Sequence, residues 1–169
     1  MHQEVVHARG HENVTATHAS TVEVTSDDYL TPAGDCILAV EADRMPADFD
    51  EAFVAACQDA DATIRADIEV GADRSDEAEG GQESERGEQS EAGEGTDRAD
   101  GGDDTVTIRG RGDPALTFES ERSLVGRTSE YVDDRTVLLE ADRAAGDLPR
   151  KLVEALADGA AMKLRLTVD

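Results

Sequence analysis

Two stretches of this chain read as one another, and that self-similarity limits the folds open to it more than any single motif does. Arg9-Gly10-His11 lies over Arg111-Gly112-Asp113 at a shift of 102. The same register sets Val14 over Leu116, Thr15 over Thr117, Thr21 over Ser123 and Tyr29 over Tyr131. A three-residue gap then changes the shift to 99, where Asp35 meets Asp134 and Glu41-Ala42-Asp43-Arg44 meets Glu140-Ala141-Asp142-Arg143. The apolar positions agree along with the identities, so a tandem duplication is expected. Its halves span 1–71 and 105–169 and together form one globular domain.

Between them, residues 72–104 hold thirteen Asp or Glu and three Arg, with Gly, Ser and almost no apolar side chain except Ala. Such a segment cannot bury enough surface to offset its ordering entropy, so the composition predicts a disordered acidic insertion.

Each half reads as several short strands, one helix and a closing strand. The closing strands alternate: Ile64, Ala66, Ile68 and Val70 in one, Met162, Leu164, Leu166 and Val168 in the other. Earlier strands are expected over 4–8, 14–17, 21–25 and 36–40, with partners over 105–109, 116–119, 123–127 and 136–139. A helix is expected from Asp48, with Glu51 completing a capping box and Phe49, Phe53 and Cys57 on its apolar face. Its counterpart starts at Asp147, carries Pro149 in its first turn and ends at Gly159. Neither half alone offers a sufficient core. The expected class is mainly β, or α+β: a pseudo-twofold antiparallel β-sandwich-like domain with one helix per half.

The charge balance bears on the setting. Forty acidic residues stand against sixteen basic ones, a formal charge of −24, and the only lysines are Lys151 and Lys163. Acidity spread along the whole chain points to a salt-adapted cytoplasm, where screening within roughly 3 Å at 1 M salt cancels self-repulsion. It also argues against a phosphate-tracking nucleic-acid surface. Residues 1–10 have no apolar core of a secretory signal, and no apolar run approaches the ~18 residues of a membrane span. The two cysteines, Cys36 and Cys57, read as reduced thiols. A cytoplasmic location without membrane attachment is expected.

Candidate site residues gather in the first half. All four histidines lie in the first 18 residues. His11, Asn13, His18, Asp35 and Cys36 fall in polar, Gly-broken stretches and carry the groups that a ligand, an acid–base step or a metal ion requires. Their spacing matches no ligand motif. In the second half Asp113, Ser120 and Arg135 replace His11, His18 and Cys36, so a site would belong mainly to the first half. The repeated Glu-Ala-Asp-Arg reads as structural, with Asp43, Arg44, Asp142 and Arg143 as ion-pair candidates pinning a strand end. There is no Walker loop, dinucleotide fingerprint or Cys-x-x-Cys, so no cofactor can be named.

The stretches Gly-His-Glu-Asn-Val-Thr-Ala-Thr-His (10–18), Tyr-Leu-Thr-Pro-Ala-Gly-Asp-Cys-Ile (29–37) and Arg-Thr-Val-Leu-Leu-Glu-Ala-Asp (135–142) resemble an archaeal family, domain of unknown function 371. The resemblance covers nearly all of the chain except the insertion. It implies a mainly-β sandwich-type domain and assigns no activity. It also implies a Gly-His-Pro in the second half, where this chain reads Gly112-Asp113-Pro114.

The residues favour a protein that binds a small molecule or metal ion at the first-half cluster, with catalysis open. The alternative is a protein- or RNA-interaction module without catalytic activity. The aromatics are Phe49, Phe53, Phe118, Tyr29 and Tyr131, which leaves few to stack bases. Ligand, partner and oligomeric state are not legible.

Overall fold

The computed structural model describes residues 1–71 and 105–169. The expectation of disorder for 72–104 lies outside the described residues. The first half runs β1 (His2–Arg9), β2 (Thr21–Thr25), β3 (Ile37–Ala39), a 3₁₀ turn (Pro46–Asp48), α1 (Glu51–Cys57) and β4 (Thr63–Val70). The second runs the same order: β5 (Thr105–Arg111), β6 (Ser123–Arg127), β7 (Thr136–Leu138), a 3₁₀ turn (Ala145–Asp147), α2 (Arg150–Ala157) and β8 (Ala161–Val168). The described residues are therefore mainly β with two α-helices, as the sequence predicts.

The strands form two four-stranded sheets, ordered β1-β8-β4-β5 and β3-β2-β6-β7. Every antiparallel ladder joins a strand of one half to a strand of the other: β1 with β8, β4 with β8, β4 with β5, and β2 with β6. Within a half the only ladders among the described residues are β2–β3 and β6–β7, both short and parallel, against the antiparallel arrangement expected. The cause is the connection: β2 reaches β3 through residues 26–36, long enough to carry the chain back to the start of the sheet. Isolated bridges from Arg9 to Val40 and from Arg111 to Leu139 join the sheets at two corners.

Period-two alternation puts one face of each long strand inside. Val6, Ile64, Ile68, Ile108, Leu164 and Leu166 are buried against Val24, Leu38, Leu124 and Leu138 of the other sheet. The helices close the ends of this core. Phe49 and Phe53, before and on α1, lie 5.5 Å apart by ring centroid, and each meets Phe118 of the second half at 6.1 Å. Each such ring contributes about 1.5–3 kcal/mol by burial.

The strands expected over 14–17 and 116–119 are not formed. Val14, Ala16, Leu116 and Phe118 are buried in the alternation of a strand. However, Ala16 (φ 48°) and Phe118 (φ 54°) take left-handed backbone, which ends any ladder. Each segment instead lies on the other half's helix. The Gln58 side chain donates to the Leu116 carbonyl at 2.7 Å, and Arg150 donates to the Ala16 carbonyl at 3.1 Å. Gly10 and Gly112 permit this crossing, because a Cβ on either would fall 1.9 Å from the Leu156 carbonyl oxygen or 2.1 Å from that of Cys57.

Both helices also start later than expected. Asp48 accepts from Met45 N at 2.9 Å and closes the 3₁₀ turn, leaving Asp50 to cap α1 through Ala52 N at 3.0 Å. Asp147 likewise serves Ala144 N at 2.9 Å, and α2 begins at Arg150 after Pro149. In each half the first acidic residue belongs to the tighter turn. Gly159 (φ +90°) ends α2 as expected.

Candidate functional site

The corner where β1 leaves its sheet is built by backbone first. Arg9 and Val40 exchange both peptide hydrogen bonds, at 3.0 and 2.7 Å. The chain then turns through Glu41 (φ 58°), and Asp43 N donates to His7 O at 2.9 Å while His7 N donates to Asp43 Oδ1 at 2.9 Å. The second half repeats each step. Arg111 and Leu139 exchange bonds, Glu140 takes φ 53°, Asp142 N donates to Arg109 O, and Arg109 N donates to Asp142 Oδ1, the last two both at 2.9 Å. The repeated Glu-Ala-Asp-Arg is thus a corner device. Asp43 and Asp142 hold a strand end by capping its N–H.

The four expected ion-pair residues behave differently from one another. Arg44 pairs with the buried Glu4 carboxylate, donates to Val5 O and Asp48 O, and stands over the Phe49 ring at 5.4 Å. Asp142 pairs with no arginine among the described residues; its carboxylate takes the Arg109 N–H. The second oxygen of Asp43 lies 3.5 Å from His7 Nδ1. Arg143 has no ion pair among the described residues.

A groove of about 630 Å³ opens at the first-half corner, lined among others by His7, Arg9, Glu41, Asp43, Gly71 and Met162. A hollow of about 270 Å³ continues from it past Arg9 to His11, Glu12, Asp158 and Gly159. His7 and Asp43 are half exposed. Arg9 donates to Glu41 at 2.8 Å, which holds the Glu41 carboxyl below the usual range and keeps it ionised at neutral pH. A histidine whose Nδ1 faces a carboxylate has its ring oriented, leaving Nε2 for a ligand or a proton.

His11 lies in this hollow, and its Nδ1 accepts from Asn13 N at 3.0 Å. Asn13 Nδ2 donates to Leu30 O at 2.7 Å and ties the loop to the β2–β3 connection. His18, Asp35 and Cys36 come together elsewhere. The Asp35 carbonyl accepts from Thr17 N and His18 N at 2.9 and 3.2 Å. The His18 ring accepts from Ser20 N and Thr21 N, each at 3.2 Å, and meets the Thr21 hydroxyl at 3.0 Å. Cys36 Sγ donates to Glu23 at 3.2 Å; burial first, then that carboxylate, push its thiol up to about 11, so it is protonated at neutral pH. None of the bonds made by His11 reaches Asp35 or Cys36. Among the described residues no group of three or more His, Cys, Asp or Glu is arranged to hold a metal ion.

Set beside the second half, these residues differ less than their identities do. Asp113 Oδ1 accepts from Ala115 N at 2.8 Å, the bond His11 makes to Asn13 N. Ser120 Oγ accepts from Arg122 N and Ser123 N at 3.1 Å, the turn cap His18 makes. The Asp134 carbonyl accepts from Ser120 N as that of Asp35 does from His18 N. Sequence reasoning passed over His7 and Arg9 and took Asp43 as structural. The usable signal was His7 standing over Arg109 beside an aspartate common to both halves.

No helix among the described residues is long and apolar enough to cross a membrane. The model of a domain of unknown function (DUF371) matches residues 6–92 and 96–169. An uncharacterised protein of Methanocaldococcus jannaschii is 30% identical over 164 residues, covering 97% of this chain and 98% of that protein. With the family model and a full-length relative in agreement, the chain belongs to the DUF371 family.

Proposed function

We propose that the protein binds a small polar molecule in the first-half groove, with His7, Arg9 and His11 as its contacts. The observation that carries this reading is the pairing of a half-exposed His7 with Asp43 at the wall of a 630 Å³ groove that Arg9 and Glu41 also line. Polar groups converging in a concavity are the general mark of a ligand site. Of the residues the sequence singled out, His11 contacts the ligand. Asn13, His18, Asp35 and Cys36 brace the loops behind it.

A titration of the protein with a mixture of small polar fragments, followed on the imidazole signals, tests this. Saturable shifts at His7 and His11 that vanish in His7→Ala are expected. Shifts centred on His18 would sink the groove reading. No shifts at all would return the chain to the interaction class, with the exposed Tyr29 and Tyr131 as the first places to look.

We also infer a tandem duplication and a salt-adapted cytoplasmic setting. The common element order supports the first. The charge of −24 supports the second, and a melting midpoint that does not rise with KCl would remove it.

A further inference from the structure

The two corners hold their arginines differently, and the difference identifies the class of ligand; the inference rests on the groove reading above. In the second half Arg111 has three acceptors within 3.2 Å. It donates to Gly112 O at 2.9 Å and to Asp113 Oδ2 at 3.0 Å, meets Glu140 at 3.2 Å, and has Glu130 3.9 Å away. In the first half Arg9 donates to Glu41 at 2.8 Å and, over 3.3 Å, to Gly10 O. Asp28, which stands over Glu130 in the repeat, acts on Arg9 only through space. Arg9 is left with N–H donors to spare.

The residue that matters is the one two positions on. Asp113 uses one oxygen for Ala115 N and the other for Arg111. His11 makes the same first bond, with Nδ1 accepting from Asn13 N. A neutral ring that accepts at Nδ1 carries its proton on Nε2, so its remaining polar atom is a donor. The second half therefore sets an acceptor on its arginine, whereas the first sets a second donor beside one. Arg9 and His11 line the same hollow. Two donors on one hollow suit an anion oxygen from outside.

We propose that the groove's ligand carries a carboxylate, seated on Arg9 and His11 as the Asp113 carboxylate is seated on Arg111. Glu12 and Asp158 at the rim, with Glu41 and Asp43 beyond, oppose any anion. The second half answers that objection, since Arg111 holds Asp113 with Glu140 and Glu130 close by. One further single charge fits a guanidinium already paired with one glutamate. A phosphate dianion would add a second charge among the rim carboxylates, so the assignment is to carboxylate.

The test is a titration of the whole chain at constant ionic strength, read on the Arg9 side-chain N–H and the imidazole signals. The probes are acetate, succinate, inorganic phosphate, N-methylacetamide and ethylammonium. Acetate and succinate should shift Arg9 and His11 and saturate. His11→Asp, which writes the second half's residue into the first, should weaken acetate by about tenfold or more. Asp113→His should open a second site at Arg111 and double the stoichiometry, an outcome that stands even if the His11 variant does not fold. Undiminished acetate binding in His11→Asp would overturn the proposal, as would phosphate binding more tightly than acetate. If the amide or the ammonium shifts His7 and His11 while the carboxylates do not, the groove reading survives and the carboxylate assignment fails. If no probe shifts these signals, both fall.

Discussion

Glu4 in β1 is buried, 6% exposed, and its place in β5 is taken by Val106, 3% exposed. Around Glu4 the first half builds a polar knot: the carboxylate pairs with Arg44 and accepts from Asp50 N at 2.6 Å, just where α1 begins. The second half builds its knot in the other sheet. There Arg127 donates to the Thr136 hydroxyl at 2.9 Å and to Asp133 at 3.0 Å, and stands 4.8 Å from the Tyr131 ring centre. The halves thus share backbone turns and apolar faces but place their buried charge at unrelated points. Shared features are what the fold demands of either half; the private ones hold one half together without being required by the architecture.

The largest effect should come from writing the second half's solution into the first. Glu4→Val strands the Arg44 guanidinium and the Asp50 N–H, at a cost of about 3 kcal/mol. Chemical denaturation should show that loss, and Arg44→Ala added to it should recover part. A fully stable Glu4→Val would mean the knot is dispensable, as its absence from the second half invites one to think.

Next comes Asp133, which gives the second half's knot a pH dependence. Burial acts against its charge, but bonds from Arg135 and Thr136, with Arg127 near, hold its carboxyl down at about 2. The unfolded value is higher, so the stabilisation is present above about pH 4 and is lost as pH falls through 2; it is worth roughly 2 kcal/mol. Acid titration of stability should therefore be shallower in Asp133→Asn than in the parent. Equal slopes would show that the carboxylate is not held as the geometry implies.

The smallest effect tests the equivalence of His18 and Ser120. His18→Ala should cost about 1 kcal/mol, the usual price of an unmet turn cap. His18→Ser should restore most of it, since a serine makes the same bonds at 120. Failure of the serine to do so would give His18 a role beyond the turn.

The architecture was largely legible in the sequence because it rests on periodicity and repetition. Strict alternation marked β4 and β8, and the shifts of 102 and 99 recur as matched left-handed residues at Ala16 and Phe118 and at Glu41 and Glu140. The segments 14–17 and 116–119 misled for a physical reason. Their alternation is real, but it faces the opposite half's helix, and no local pattern announces a partner 58 or 134 positions away. The late helix starts have a similar cause, since Asp48 and Asp147 cap a turn that composition does not distinguish from a helix. The candidate site was harder still. His11 and His18 stood out because their counterparts are different residue types, yet a histidine nitrogen, a serine oxygen and an aspartate oxygen can all accept the same backbone bond. His7 was passed over because only the comparison of the halves, and nothing local to β1, connects it with Asp43.

The exchange of strands between halves has a consequence for how the chain assembles. Its contact order is high: His2 pairs with Val168 and Ile68 with Leu164, so most ladder bonds form only after distant parts of the polypeptide have met. Chains of this kind refold slowly, because closure entropy is lost before the contacts that offset it are made. Apart from the short β2–β3 and β6–β7 ladders, the β4–β5 pair is the nearest in sequence, with Glu69 opposite Thr105. It brings the two halves side by side, and the 33 residues from 72 to 104 come between its two strands in the sequence. Closure cost rises only with the logarithm of length, by about 0.6 kcal/mol per doubling. An insertion there is tolerated at small cost, whereas the same residues placed within either half would lengthen the closures that the rest of the fold depends on.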